Sequence, residues 1–370
     1  MPMFQFQLQR RSVLVCLTLS VVVCAAIGSR SAQAAPTRLV GVACPSASQC
    51  TAVNAAGQEV TFNPASPGTP TPITIDSLLT TTYDSLTSIA CPSVGQCAAI
   101  DAAGQEVTFN PASPGTLTPT TIDHHGAIEP GVSPVNFLVS VACPSSTQCT
   151  AVGYNGHEVT FNPASPSTAS TMTVGSYQYS YKSVACPSIT QCTAIDSYTR
   201  RAVTFNPTSP GTVTTIFIDR LSYLGSIACV SITQCTATDL SGYEVTFNPT
   251  SHGKPHPIKI DHGCRLSVSC ELWSVACPSV GQCTAVDNGG REITFNPTSP
   301  GNRTTARIER HSLASVACPL TTRCVAVGAS DRPVTFDPAN PQRSPARSKT
   351  LTPMVTISQG CVLRHSTSRR

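Results

Sequence analysis

One phrase of sequence returns seven times along this chain of 370 residues. It reads SVACPSxxQCTAVDxxGxEVTFNPxSPGT, and its first cysteine stands at Cys44, Cys91, Cys143, Cys186, Cys229, Cys277 and Cys318. Self-similarity at a period of 41 to 52 residues is typical of stacked or ring-shaped repeat architectures, in which one repeat is one supersecondary unit. The repeat therefore determines the fold.

Each repeat contains four short runs rich in Val, Ile, Thr and Ala. In the second copy they are LTSIAC, QCAAID, GQEVTFN and TPTTID, separated by clusters of Pro, Ser, Ala and Gly. Such runs between turn residues predict strands, and no window after the first 34 residues has helical periodicity. Four strands per unit predict an all-β fold, a seven-bladed β-propeller of four-stranded antiparallel blades. A β-sandwich array and a parallel β-helix are the structural alternatives.

The motif SVACPSxxQCTAVD resembles the repeats of secreted bacterial β-propeller proteins in which a CPSxxxC hairpin begins each blade, distantly similar to BNR and WD40 blades. The resemblance extends over all seven copies and implies a fold and an extracellular address, with no established activity. The outer half of each repeat reads VTFNPxSPGT where BNR-type repeats carry an Asp-box.

The first 34 residues have the three parts of a secretory signal peptide. Arg10 and Arg11 precede an apolar run from Ser12 to Gly28, and Ala32-Gln33-Ala34 supplies a cleavage site. A retained membrane anchor is the alternative, but the run is short for a span. We expect the protein to be exported by the Sec or the twin-Arg pathway and residues 1–34 to be cleaved off. The product is expected to be a secreted, extracellular or periplasmic protein without a membrane span.

Beyond the signal we expect two regions. The propeller is expected over residues 35–341, and residues 342–370 form a basic Pro/Ser-rich tail that supplies at most a last outer strand. No strand exchange that closes the ring is evident. The repeats are expected to start near residues 39, 86, 138, 181, 224, 272 and 313.

The cysteines recur as C-x5-C, a spacing that places two cysteines opposite each other across a hairpin loop and permits a disulfide. Exported proteins keep disulfides, so we expect staples and not zinc. The expected pairs are Cys44–Cys50, Cys91–Cys97, Cys143–Cys149, Cys186–Cys192, Cys229–Cys235, Cys264–Cys270, Cys277–Cys283 and Cys318–Cys324. Cys361 is left over, which suggests a tail thiol or a dimer link.

In an up-and-down blade, the turns between second and third strands and the connections between blades lie on one face. This face varies among the repeats, and variable loops on a rigid scaffold often bind ligands. The alternative to a binding role is that these turn residues are exposed to solvent and vary without functional constraint. The candidate ligand-binding residues on it are Gln58, Gln105, His157, Arg201, Tyr243, Arg291 and Arg332.

Acidic residues recur at three positions of the repeat. An enzyme needs a catalytic pair of acids only once, so acids that recur in many blades are expected to have a structural role. The Asx side chains among them are expected to cap turns. The three sets are Asn54, Asp101, Asp196, Asp239 and Asp287; Asp76, Asp123, Asp219, Asp261 and Glu309; and Glu59, Glu106, Glu158, Glu244 and Glu292. The chain contains no HExxH, GxSxG, GxGxxG or P-loop motif, so no catalytic residue, cofactor or metal site is predicted.

Charge is divided unevenly along the chain. Residues 35–191 carry two basic and eight acidic residues, whereas residues 192–370 carry 18 basic and 11 acidic residues. The basic half is suited to an anionic cell-surface polymer, but the low net charge without aromatic clusters argues against nucleic acid.

Three functions remain open. The first is a secreted, non-catalytic scaffold that binds a protein or a cell-envelope glycan through its variable face. The second is a glycan hydrolase or lyase that uses carboxylates near the central channel. The third is a structural coat protein, either a monomer or a dimer linked through Cys361.

Overall fold

The computed structural model describes residues 38–79, 85–115, 117–123, 138–176, 178–209, 211, 213–263 and 271–341. Within these residues the chain forms seven antiparallel sheets, each built from strands consecutive in sequence. Six sheets have four strands and the seventh has three. The predicted all-β, seven-bladed propeller is confirmed. In the described part of the chain, helix is confined to two 3-10 turns, Tyr154–Gly156 and Pro166–Thr168.

The strands are numbered in chain order and grouped into blades. Blades 1 to 4 comprise Leu39–Ser46 (β1), Gln49–Asn54 (β2), Gln58–Phe62 (β3), Ile73–Thr74 (β4); Leu86–Ser93 (β5), Gln96–Asp101 (β6), Gln105–Phe109 (β7), Thr120–Thr121 (β8); Leu138–Ser145 (β9), Gln148–Gly153 (β10), His157–Phe161 (β11), Ser170–Thr173 (β12); and Tyr181–Ser188 (β13), Gln191–Asp196 (β14), Arg201–Phe205 (β15), Thr214–Phe217 (β16). Blades 5 to 7 comprise Leu224–Ser231 (β17), Gln234–Asp239 (β18), Tyr243–Phe247 (β19), Ile258–Lys259 (β20); Leu272–Ser279 (β21), Gln282–Asp287 (β22), Arg291–Phe295 (β23), Arg303–Arg307 (β24); and Leu313–Leu320 (β25), Arg323–Gly328 (β26), Val334–Phe336 (β27).

The first hairpin of each blade is closed by a disulfide between its first two strands. The Cα atoms of the paired cysteines are 4.0 to 4.1 Å apart in all seven repeats. The seven predicted staples within the repeats are thus present. Such a short loop contributes about 2 kcal/mol by the chain-entropy model.

The core lies between the blades. Seven hydrophobic clusters each join one face of a blade to the opposite face of the next. In the cluster that joins blades 4 and 5, for example, Ile195 and Ile216 are buried together with Leu224 and Phe247. Alanines such as Ala52 and Ala237 are fully buried in the second strands. Small residues at these positions let neighbouring blades approach closely, and each cluster contains one phenylalanine.

The last blade packs against the first. Val325 and Val327 of β26 join Leu39 and Val42 of β1 in one cluster, and the Oγ of Ser315 accepts the backbone N–H of Val42. Among the described residues, no strand from one end of the chain joins the sheet at the other end. Side-chain packing and hydrogen bonds therefore close the ring.

Several predictions fall outside the described residues. These are the signal peptide, the Cys264–Cys270 pair, Cys361 and the tail from residue 342, including the expected last outer strand. In the part of the chain that is described, no helix is long and apolar enough to span a bilayer.

Candidate functional site

Six of the seven candidate residues on the variable face begin the third strand of their blade, and Arg332 lies two residues before the third strand of blade 7. We call this side of the ring, which carries the turns between second and third strands and the connections between blades, the loop face; the stapled hairpins lie on the opposite hairpin face. The candidates are spread around the ring, one in each blade. Arg332 is exposed, His157 is buried, and the others are half-buried.

The acids at the ends of the second strands cap the turns that follow. The Oδ1 of Asp101 accepts the N–H groups of Ala103 and Gln105, and Asp239 and Asp287 do the same in their own blades. Asn54 plays this part in blade 1. The predicted turn-capping role of this set is therefore confirmed.

Two interfaces between blades bring aspartates together. Asp219 of blade 4 lies near Asp239 of blade 5; burial, and to a lesser extent the carboxyl of Asp219, raises the pKa of Asp239 to about 7. Between blades 5 and 6, the guanidinium of Arg291 bridges Asp261 and Asp287, at 2.6 and 2.7 Å. All four aspartates are almost completely buried, so a substrate at the surface does not reach them.

The recurring glutamate of the third strand is buried between blades. In blade 3, the Oε2 of Glu158 accepts the hydroxyl of Thr160, which in turn bonds Thr150 on the neighbouring strand. Burial raises the pKa of Glu158 and Glu292 to about 8 and that of Glu106 and Glu244 to about 7, against the opposing effect of the threonine hydrogen bond. Glu59 is shifted in the same direction. These carboxyls belong to the blade interface.

A cluster of exposed aromatic residues with exposed and half-buried arginines lies on the loop face of blade 4, and residue-by-residue comparison of the repeats missed most of it. It comprises the turn between β14 and β15 and the end of β16 with the connection to β17. We call it the blade 4 cluster; its members are Tyr198, Arg200, Arg201, Phe217, Arg220, Leu221 and Tyr223.

The aromatic side chains of the blade 4 cluster remain accessible although they contact one another. Tyr198 and Tyr223 meet edge to face at 5.3 Å between ring centroids, yet they are 64% and 52% exposed. Arg200 and Arg220 lie 6.0 and 5.9 Å from the centre of the Phe217 ring. The sequence signal was an arginine pair in a second-to-third turn that lacks glycine.

Arg200 has a backbone conformation that is unusual for its residue type. Its φ is 59°, and its carbonyl accepts the N–H of Ile218, as the carbonyl of Gly57 accepts that of Ile75 in blade 1. Blade 4 therefore has arginine where blades 1, 2, 3, 5 and 6 have glycine with positive φ. A left-handed conformation costs a non-glycine residue about 1 kcal/mol or more, and such strain concentrates at functional sites.

A cavity of about 250 Å³ lies on the axis of the ring and is lined by the first strands of all seven blades. Arg38, Lys182 and Trp273, from blades 1, 4 and 6, are part of its wall. The Nζ of Lys182 lies 5.3 Å from the centre of the Trp273 ring. Sequence reasoning missed these residues because each occurs once, at a position where the other blades carry unrelated side chains.

Among the described residues, no carboxylate lines the cavity. The described residues include no group of three or more His, Cys, Asp or Glu side chains placed to hold a metal ion. The side-chain groups that the described wall of the cavity offers to a ligand therefore include two cations, several hydroxyls and one indole ring.

The fold and these surfaces define a seven-bladed, disulfide-stapled β-propeller. A solved structure of YCF48 from Cyanidioschyzon merolae is similar to it, with a TM-score of 0.62, 12% sequence identity, and coverage of 83% of this chain and 98% of that one. At this identity the similarity shows the fold alone. No family model matches the chain, and no curated protein matches it in sequence.

Proposed function

We propose that this protein is a secreted, non-catalytic scaffold that binds a partner protein through its loop face. The blade 4 cluster carries this proposal, because tyrosine and arginine dominate binding hot spots and large exposed aromatic patches mark interaction surfaces. The signal-like first 34 residues and the disulfide in each blade support an extracellular or periplasmic address.

The charge of the cluster indicates the kind of partner. Arg200, Arg201 and Arg220 lie within two short segments, and Asp196 and Asp219 beside them are buried. The accessible charge of the cluster is therefore positive, and it complements an acidic protein surface. An acidic envelope glycan is the alternative occupant, and treatment of the bound fraction distinguishes the two.

The test is retention on a cell-envelope fraction from the producing organism. Replacing Tyr198 and Tyr223 together with alanine should weaken retention at least tenfold, as expected for hot-spot aromatics. Because both rings are mostly exposed, the melting temperature should change little. Protease treatment of the fraction should abolish retention; persistence after protease but loss after periodate would favour the glycan.

Two further variants make the test specific. Ile189 and Ile232 are each 50% exposed and lie in the stapled hairpins, so their double alanine variant is a matched control on the hairpin face and should retain binding. Arg200→Gly introduces the residue that five blades use, so it should weaken retention without loss of stability. Normal retention of both loop-face variants would refute the proposed surface.

A further inference from the structure

The axial cavity combines positive charge with the absence of a counter-charge. Arg38 and Lys182 both line it, and no carboxylate of the described residues lies within ion-pair distance of either. Burial, and then the charge of Arg38, lowers the pKa of Lys182. Two cations confined together without an acid are stabilised by an anion placed between them.

A ring of serine hydroxyls adds neutral donors to the same wall. In six blades a serine of the first strand lines the cavity and its Oγ accepts, at 3.1 to 3.3 Å, the backbone N–H of the next blade. Because the oxygen is the acceptor in that bond, its O–H hydrogen remains available to donate to a ligand. The six serines are Ser88, Ser140, Ser183, Ser226, Ser274 and Ser315.

Trp273 supplies a flat apolar surface beside the cations. Blade 5 has Gly225 at the position equivalent to Trp273, so no side chain of that intervening blade separates the indole from Lys182 of blade 4. A cavity of about 250 Å³ is smaller than the pockets that hold drug-sized ligands, about 300 to 1,000 Å³, and suits one six-membered ring.

We propose that this cavity is a binding site for a single acidic sugar residue, a second site separate from the loop-face surface. The carboxylate lies between Arg38 and Lys182, the sugar hydroxyls accept from the serine ring, and one face of the pyranose ring packs on Trp273. The ligand is either a free sugar acid or the end of an acidic polysaccharide, which share this chemistry.

Trp273 is the one tryptophan of the chain, so its fluorescence reports on this cavity alone. Titration with glucuronic acid should give a saturable change in emission, whereas glucose, without the carboxylate, should bind at least tenfold more weakly. An oligoglucuronate of equal or higher affinity would identify a polysaccharide end as the source. A preference for the monosaccharide would identify a free sugar acid.

Variants test the assigned contacts. Lys182→Met and Arg38→Gln should each weaken glucuronate binding about tenfold or more. Lys259→Met is the matched control, because Lys259 also lies over an aromatic ring, 4.8 Å from the centre of Tyr243, but does not line the cavity; it should bind glucuronate normally. Calorimetric titration of each variant checks the result independently of emission.

The proposal is overturned if glucuronate gives no saturable response up to about 100 mM, a concentration well above the millimolar Kd of weak binding. It is also overturned if inorganic phosphate or glucose binds as tightly, or if the Lys182 and Arg38 variants bind normally. Retention on the envelope fraction through Tyr198 and Tyr223 is measured separately, so failure of one site leaves the other interpretable.

Discussion

At the residue scale, each polar position of the repeated phrase makes one recurring contact. The glutamine before the second cysteine donates from Nε2 to a hairpin carbonyl of the next blade in six blades, as Gln49 does to Val94. The serine directly before the buried Val or Ile of each first strand accepts a backbone N–H from the next blade, with one exception. Blade 1 has Gly41 at this position.

Replacing Gly41 with serine should add the missing seventh serine hydrogen bond between blades and stabilise the protein. A Cβ at residue 41 would lie 3.5 Å from the backbone nitrogen of Ile89, the donor equivalent to those that serines bond elsewhere, and Ser183 bonds an isoleucine in this way. We expect a gain of about 1 kcal/mol from the hydrogen bond and a rise of about 2 °C in Tm.

Gly41→Ala is the matched control for this substitution. It keeps the entropic gain from replacing glycine but adds no hydroxyl. Denaturation should rank serine above alanine and alanine at or above glycine. If serine proves less stable than alanine, the contact of the new Cβ with the Ile89 side chain, at 3.2 Å, outweighs the hydrogen bond.

At the scale of the element, a blade is a four-stranded sheet that is stabilised by its neighbours. The outer strands are as short as Ile73–Thr74 and largely exposed, whereas the second strands are almost wholly buried. The third strand contributes Val and Phe to one interface and its Glu–Thr pair to the other. Its buried glutamate makes the interface sensitive to pH.

The stability of the protein should fall as pH rises from about 5 to about 9. Glu158 and Glu292 have pKa values of about 8 in the folded protein, above the usual 4.5, so the folded state binds more protons over this range than the unfolded chain does. The free energy of unfolding then decreases with pH, by about 1.4 kcal/mol for each pH unit and group fully affected.

Melting temperatures of the Glu158→Gln, Glu292→Gln double variant across this range test the effect. A neutral amide cannot ionise, so the decline of Tm with pH should become shallower. Asp331→Asn, at an exposed carboxylate, should leave the slope unchanged. Equal slopes in all three proteins would show that ionisation of these glutamates does not limit stability.

At the scale of the whole molecule, the ring closes without covalent continuity at one interface. Between blades 7 and 1, Arg323 replaces the repeated glutamine and donates from Nη1 to the carbonyl of Ala47 at 3.0 Å. The chain itself links the remaining six pairs of neighbouring blades. Local opening should therefore begin at the interface between blades 7 and 1.

Arg323→Ala should raise amide hydrogen exchange in β1 and β25. Loss of one hydrogen bond of about 1 kcal/mol corresponds to roughly fivefold faster exchange by local opening. Gln282→Ala removes the equivalent bond between blades 6 and 7 and should leave exchange in β1 unchanged. The same exchange in both variants would mean that the ring does not open preferentially at its ends.

How much of the structure could be predicted from the sequence depended on how far apart in the chain the interacting residues lie. The disulfide pairs and Asx caps were predictable because each partner lies within seven residues along the chain, as Cys91 and Cys97 do. The blade 4 cluster was only partly predictable: Arg201 was identified by its position in the repeat, whereas Tyr223 lies in a connection and meets Tyr198 only after folding. Arg291 was a candidate for ligand binding, and its ion pair with Asp261 of another blade was not foreseen.

The amino-acid sequence alone determined the number of blades, the strands and the staples, because a periodic pattern repeats its local contacts in every copy. Only the tertiary structure decided that Arg38, Lys182 and Trp273, far apart in the chain, share one axial cavity. The physical reason is that ring closure brings the first strands of all seven blades, with the residues at their starts, to a single axis. Residues that differ from the repeat are therefore brought together by the closed ring, and local sequence patterns do not predict their proximity.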